Sequence, residues 1–124
     1  MLLKISFESP TPIYQQIRDQ IILAMAKEAL LPGENLPTVR QLAKDIGVNP
    51  MTINKAYNLL KDEGYVVIDR RQGARIQDAG LLKNEKTEYL IEALELILSE
   101  AKLKGVTKEE LSKVILRIYG KRRD

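Results

Sequence analysis

Apolar residues recur at three- and four-residue spacing in five stretches of the chain and give way to a different pattern in one. Ile13, Ile17, Ile21 and Ala24 form the first stripe, after Thr11-Pro12, which reads as an N-cap followed by proline at the first helical position; a helix is expected from about Pro12 to Ala29. Leu31-Pro32-Gly33-Glu34 breaks it and turns the chain. Val39, Leu42, Ala43 and Ile46 form a second, shorter stripe behind Thr38, with Gln41 placed to complete a capping box and Gly47 to end the helix. Only Val48 intervenes before Asn49 and Pro50, a cap and first residue for a third helix whose stripe is Ile53, Ala56, Tyr57 and Leu60, ending at Gly64.

The period then changes. Tyr65-Val66-Val67-Ile68-Asp69 is aromatic and β-branched, Arg70-Arg71-Gln72-Gly73 is a turn, and Ala74-Arg75-Ile76-Gln77 alternates, which together predict a β-hairpin closed by Asp78-Ala79-Gly80. Helical spacing returns from about Asn84 to Lys104, with Leu90, Ala93, Leu94, Ile97 and Ala101 on one row and Tyr89, Ile91, Leu96, Leu98 and Leu103 on others. Gly105 ends that helix, and Thr107 with Glu110 opens a last one to about Tyr119, carrying Leu111, Ile115 and Ile118. The expected fold is mainly α with a small β-hairpin: a winged helix-turn-helix over residues 1–78, then a helical hairpin over 79–124.

The two short helices turn their stripes inward, which leaves a polar outer face on the third. Met51, Thr52, Asn54, Lys55 and Asn58 lie on that face, and a helix of this kind fits the major groove of DNA. There asparagine pairs with adenine, and threonine and methionine touch a thymine methyl. Arg40 and Lys44 on the preceding helix are placed for phosphates; Arg70, Arg71 and Arg75 make the hairpin a cationic wing, and Gly73 lets its backbone approach closely. The long helix has more apolar circumference than one short partner can cover. Leu90, Leu94, Ile97, Leu98 and Ala101, with Leu111, Ile115 and Ile118 of the last helix, are therefore expected to form a homodimer interface.

Composition narrows the alternatives. Hydrophobic residues make up 44% and charged residues 30% of 124, an ordinary globular mixture. With neither cysteine nor histidine, disulfides, thiolate metal sites and the commonest general base are all excluded, so no cofactor or metal is expected and an enzyme is disfavoured. The net charge of +3 is small, but residues 38–77 carry seven basic against four acidic side chains, and that is the segment with the DNA-directed pattern. No basic leader precedes an apolar run, and no stretch of about 18 apolar residues occurs, so a cytoplasmic protein with no membrane partner is expected.

Several runs are similar to the N-terminal domain of the GntR family of bacterial regulators. They are Pro12-Ile13-Tyr14-Gln15-Gln16-Ile17, the run Leu31-Pro32-Gly33-Glu34-Asn35-Leu36-Pro37-Thr38-Val39-Arg40-Gln41-Leu42-Ala43, Gly47-Val48-Asn49-Pro50-Met51-Thr52-Ile53, and Leu60-Lys61-Asp62-Glu63-Gly64-Tyr65. The Asn49-Pro50-Met51-Thr52 opening, the following Lys55-Ala56-Tyr57 and the two-helix tail resemble the YtrA subfamily. The resemblance implies a homodimeric repressor of a palindromic operator, often that of an ABC transporter operon and of the regulator's own gene, with Arg40, Thr52 and Gly73 at DNA-contacting positions. Pro50 and Asn54 replace arginines that read guanines in many members, which implies a different operator with less guanine-directed readout. Larger members hold a metabolite pocket in a long C-terminal domain; a pocket of that kind is not expected from the helical residues 79–124, which include no histidine, and the existence and identity of a small-molecule effector stay open.

A winged-helix docking module for another protein is the competing reading, because fold does not fix function. Three wing arginines and a polar outer face favour DNA; an exposed apolar face on the third helix would favour protein. Lys121-Arg122-Arg123 receives no assignment, since terminal charge runs are commonly solvated.

Overall fold

The computed structural model describes residues 3–83 and 86–120, so the expected helix start at Asn84 and the Lys121-Arg122-Arg123 run lie outside the described residues. The elements are α1 (Ile13–Ala26), α2 (Val39–Ile46), α3 (Pro50–Asp62), β1 (Val66–Asp69), β2 (Gly73–Ile76), α4 (Ala79–Leu82), α5 (Glu88–Leu103) and α6 (Lys108–Tyr119). They fall into two compact units, residues 1–82 and 83–124.

In the first unit, α1, α2 and α3 close around one core. Ile17 and Ile21 of α1, Leu42 and Ala43 of α2, and Ile53, Ala56, Tyr57 and Leu60 of α3 are buried together with Val66, Ala74 and Ile76 of the hairpin. Each large aliphatic removed from water contributes about 1.5–3 kcal/mol, so these stripes hold the three helices in place. Arg18 ties α1 to the end of α3: its guanidinium donates to both Glu63 oxygens at 2.8 and 2.9 Å and lies 5.9 Å from the centre of the Tyr65 ring. The hydrogen bond to Glu63 raises the Arg18 pKa above its ordinary value, against the opposing effect of burial.

Both ends of α1 differ from expectation. Pro12 is itself the N-cap, extended at φ −55° and ψ 146°, and Thr11 does not cap; its N–H donates to Ser9 Oγ while its carbonyl accepts from Gln16 Nε2. Gln16 also brackets Ser6, accepting from its N–H and donating to its carbonyl, and Gln20 does the same for Lys4. Two side-chain amides thus hold an extended segment whose Leu3 and Ile5 pack on the core. At the far end α1 stops at Ala26 rather than near Ala29, because Glu28 turns left-handed at φ 62° and Ala29 and Leu30 donate back to the Ala24 carbonyl, which buries Leu30.

The hairpin is antiparallel, with Val66 opposite Ile76 and Asp69 opposite Gly73. The free edge of β2 is not left open: Gly33 N and Ile76 N bond to the Ile76 and Glu34 carbonyls at 2.9 Å, and Leu36 N bonds to the Ala74 carbonyl at 2.8 Å. Asn35, after the Pro32-Gly33 turn, thereby forms a single antiparallel bridge with Arg75 beside the two-stranded sheet, which the sequence pattern does not reveal. After β2, Asp78 Oδ1 accepts from Gly80 N at 2.7 Å and starts the single turn α4 where only a closing loop was expected.

The second unit consists of the two helices α5 and α6, joined through Gly105 and Val106. Thr107 and Glu110 form a complete capping box at the start of α6. Neither helix has a buried residue; Leu90, Leu94 and Ile97 are 49%, 48% and 59% exposed, and only Ala101, Leu111 and Ile118 are half-buried. Two helices alone cannot bury these rows.

Replacing Ile53 by alanine removes a fully buried side chain at the meeting point of the three helices. A loss of about 2–5 kcal/mol is expected in urea unfolding of the protein.

Candidate nucleic-acid interface

The geometry of this face starts from two caps. Asn49 is extended, its Oδ1 accepts from Met51 N at 2.8 Å, and Pro50 occupies the first helical position, so α3 begins sharply. Thr38 Oγ1 accepts from Gln41 N at 3.1 Å and starts α2 in the same way, but the expected reciprocal contact is absent: Gln41 reaches forward to Asp45 at 2.8 Å, the next turn offering a carboxylate. Gly47 takes φ 76°, a conformation a side chain would strain, and permits the tight turn into α3. Neither α2 nor α3 has an acidic residue in its first turn, so the positive end of each helix dipole is left for an incoming anion.

With Ile53, Ala56, Tyr57 and Leu60 buried, the opposite side of α3 is fixed outward. Met51, Asn54, Lys55 and Asn58 are exposed, Met51 at 75%, and Thr52 is half-buried. The buried Tyr57 hydroxyl donates to the Pro37 carbonyl at 2.8 Å, which ties α3 to the residue before the α2 cap, and burial raises its pKa so that it stays protonated. Arg40 and Lys44 stand exposed one turn apart on α2.

Asp69 builds the wing turn. Its Oδ1 accepts from Arg71 N at 2.9 Å and from Gln72 N at 2.6 Å, which leaves the Arg70 and Arg71 side chains at an exposed tip. Among the described residues Arg40, Lys44, Arg70 and Arg71 have no carboxylate within 4.0 Å, so their charge is available to a partner. A cleft of about 160 Å3 separates the wing from α3, with Thr38, Asn54, Gln72 and Gly73 at its rim and Val39 and Ile68 among its apolar lining. Gly73 takes φ 72° at the wing turn, where a side chain would strain the backbone.

The structure brings Met51, Thr52, Asn54, Lys55 and Asn58 onto one helix, with Arg40 and Lys44 on the helix before it and Arg70, Arg71 and Gly73 on the wing. Arg75 stands apart. It lies opposite Val67, on the other side of the hairpin from Ile68 and Ala74, and its nearest carboxylate is Asp69 at 3.8 Å. Its Nε is buried with no hydrogen-bond partner among the described residues. A side chain of α1 joins the face: the Tyr14 ring carries the Lys55 ammonium, Nζ 4.1 Å from its centre. No sequence spacing signals that pair, because it depends on how α1 crosses α3. A separate apolar pocket of about 250 Å3, between Ile22, Met25, Leu30, Tyr65 and Leu82, shares no lining residue with the face and has no charged side chain.

A sequence profile described as bacterial regulatory proteins, gntR family, matches residues 13–76. The HTH-type transcriptional repressor YtrA of Bacillus subtilis is 35% identical over 94% of this chain and 92% of its own. Among solved structures, YtrA from Sulfolobus acidocaldarius, a GntR-family transcription factor, superposes with a TM-score of 0.64 at 41% identity over 83% of this chain and 99% of that one. The DNA-binding domain of AraR in complex with operator ORX1 superposes with a TM-score of 0.55 at 26% identity, over 61% of this chain and 98% of that domain. No helix among the described residues is long and apolar enough to cross a membrane.

The Asp69 bonds carry a direct consequence for the wing. In Asp69→Ala the Arg71 and Gln72 amides should exchange with solvent markedly faster while amides of α3 keep their protection; unchanged exchange at the tip would show that the turn holds without the carboxylate.

Proposed function

The chain belongs to the gntR family of bacterial regulatory proteins, with the short YtrA members as its relatives, and from that premise we propose that it is a DNA-binding repressor acting as a homodimer. The observation that carries the reading is the outer face of α3: an exposed polar row, flanked by Arg40 and Lys44 on α2 and Arg70 and Arg71 on the wing, which have no carboxylate partner among the described residues. In this reading α3 enters the major groove, where Asn54 and Asn58 pair with adenines and Thr52 and Met51 meet thymine methyls. Arg40 and Lys44 take phosphates on one side, and Arg70 and Arg71 reach the backbone or minor groove on the other, with Gly73 allowing close approach. Arg75, 3.8 Å from Asp69 and with no hydrogen-bond partner for its Nε among the described residues, is proposed as a further backbone contact of the wing. Asn54 in place of an arginine directs the operator toward A·T pairs at its position.

The repressor role draws on the name of the Bacillus YtrA relative, and operator binding on the likeness to the AraR domain, whose solved form holds an operator. The proposed division of labour is DNA binding by the first unit and dimerisation by the second, through Leu90, Leu94, Ile97, Leu98, Ala101, Leu111, Ile115 and Ile118. A palindromic operator follows, since each chain has one α3 and a two-fold pair reads two half-sites. The proposed targets are an ABC transporter operon and the regulator's own gene, with the protein working in the cytoplasm. A protein-docking module fits less well, because the outer face of α3 presents Met51 as its one large apolar side chain.

A gel-shift titration against DNA from just upstream of the protein's own gene, with scrambled competitor and at two salt concentrations, tests the reading. Binding should survive competitor, weaken steeply with salt, and fall by about tenfold or more in Arg40→Ala and Thr52→Ala, on the order of 1.4 kcal/mol each. Binding equal to that of scrambled DNA would favour a docking module or a distant operator. Sedimentation should show a dimer that Leu94→Glu and Ile97→Glu convert to monomer, with operator affinity lost alongside; a monomer with full operator affinity would refute the interface.

A further inference from the structure

Lys55 differs from the other cations of the face in being held. Its ammonium sits 4.1 Å from the centre of the Tyr14 ring, and among the described residues no carboxylate lies within 4.0 Å of it. Tyr14 belongs to the first turn of α1 and packs against the core, so the ring is fixed from behind while its face is turned to Lys55. α1 and α3 are packed together, and the contact places the start of α1 at the border of the recognition face.

We propose that Tyr14 is a positioning residue of the DNA interface, holding the Lys55 ammonium for a backbone phosphate at the edge of the major groove so that Lys55 adds affinity without reading sequence. This rests on the operator-binding reading above. The argument is one of direction and entropy. A lysine that reads guanine must extend from the helix into the groove, in line with Met51, Thr52, Asn54 and Asn58. Drawn onto Tyr14, the ammonium instead lies at the flank of α3 on the α1 side, where a helix seated in the groove faces the phosphate strand that bounds it. A free lysine side chain gives up most of its rotamer freedom to hold one phosphate. The ring has already restricted it, and a cation on an aromatic face keeps its donors free on the side away from the ring. Four exposed neighbours, Arg40, Lys44, Arg70 and Arg71, have no such ring beneath them among the described residues.

Fluorescence anisotropy of the full chain on a labelled operator duplex, on single-base-pair variants of it and on scrambled DNA, over a range of salt, decides the matter. Lys55→Gln should lower the slope of log affinity against log salt by about one and leave the order of the base-pair variants unchanged. Tyr14→Leu should weaken operator binding about two- to fivefold, Tyr14→Phe should bind within about twofold of the parent, and Tyr14→Leu should add nothing in a Lys55→Gln background. Relaxed discrimination at one base pair in Lys55→Gln would make Lys55 a base reader and overturn the proposal. So would an equal loss from Tyr14→Leu with and without Lys55, which marks a merely structural ring, or tighter binding in Tyr14→Leu, which marks a ring that withholds the charge. Lys55→Gln leaves α1 intact and carries the test alone should Tyr14→Leu fail to fold. A parent protein that prefers operator no more than scrambled DNA would instead sink the operator-binding reading, and this inference with it.

Discussion

Everything on the recognition face depends on the burial of one stripe of α3. Ile53, Ala56, Tyr57 and Leu60 are each committed inward, against Ile17 and Ile21 of α1 and Leu42 and Ala43 of α2, and a helix so anchored has a single rotational setting. Turning it by one residue, about 100°, would expose several of these side chains at about 1.5–3 kcal/mol apiece, more than a domain of this size can spare. The polar row is thereby presented at a fixed angle. Tyr57 adds a polar lock at the same place, because its hydroxyl joins α3 to Pro37 and so to the start of α2.

Around that helix the charges are arranged by what they are paired with. Arg18 donates hydrogen bonds to carboxylates and serves the fold, and Arg75 lies 3.8 Å from Asp69; Arg40, Lys44, Arg70 and Arg71 face no carboxylate among the described residues and extend into solvent. Asp69 sorts the wing in the same way: it takes the backbone N–H groups of Arg71 and Gln72, stands nearest to Arg75, and leaves the two tip arginines unopposed. The modest net charge of +3 therefore understates the local field, which comes from unpaired cations gathered on two elements beside α3. The second unit presents the complementary imbalance, apolar rows on α5 and α6 with no buried residue on either helix.

Most of the fold was legible because its signals are local. Caps at Thr38, Asn49 and Thr107, the stop at Gly47 and the change of period after Gly64 act over a few residues and read directly as element boundaries. What the pattern does not reveal depends on contacts distant in sequence. The pairing of residues 33–36 with β2, the grip of Gln16 and Gln20 on the N-terminal segment, the Arg18 and Glu63 pair and the seating of Lys55 on Tyr14 each join elements whose crossing has no periodic signature. Arg75 is a further case: composition puts three arginines on the wing, and the strand register sets one of them opposite Val67 and beside Asp69, which composition alone does not reveal.

The central claim is that two copies of α3, brought together by the C-terminal helices, read two half-sites of one operator. A hydroxyl-radical footprint of the full chain on the DNA upstream of its gene tests this most directly. The account requires two protected patches related by two-fold symmetry, with centres about 34 Å apart or a multiple of it, appearing together over the titration. A single protected patch at full affinity, or weak protection spread evenly along the duplex, would contradict it.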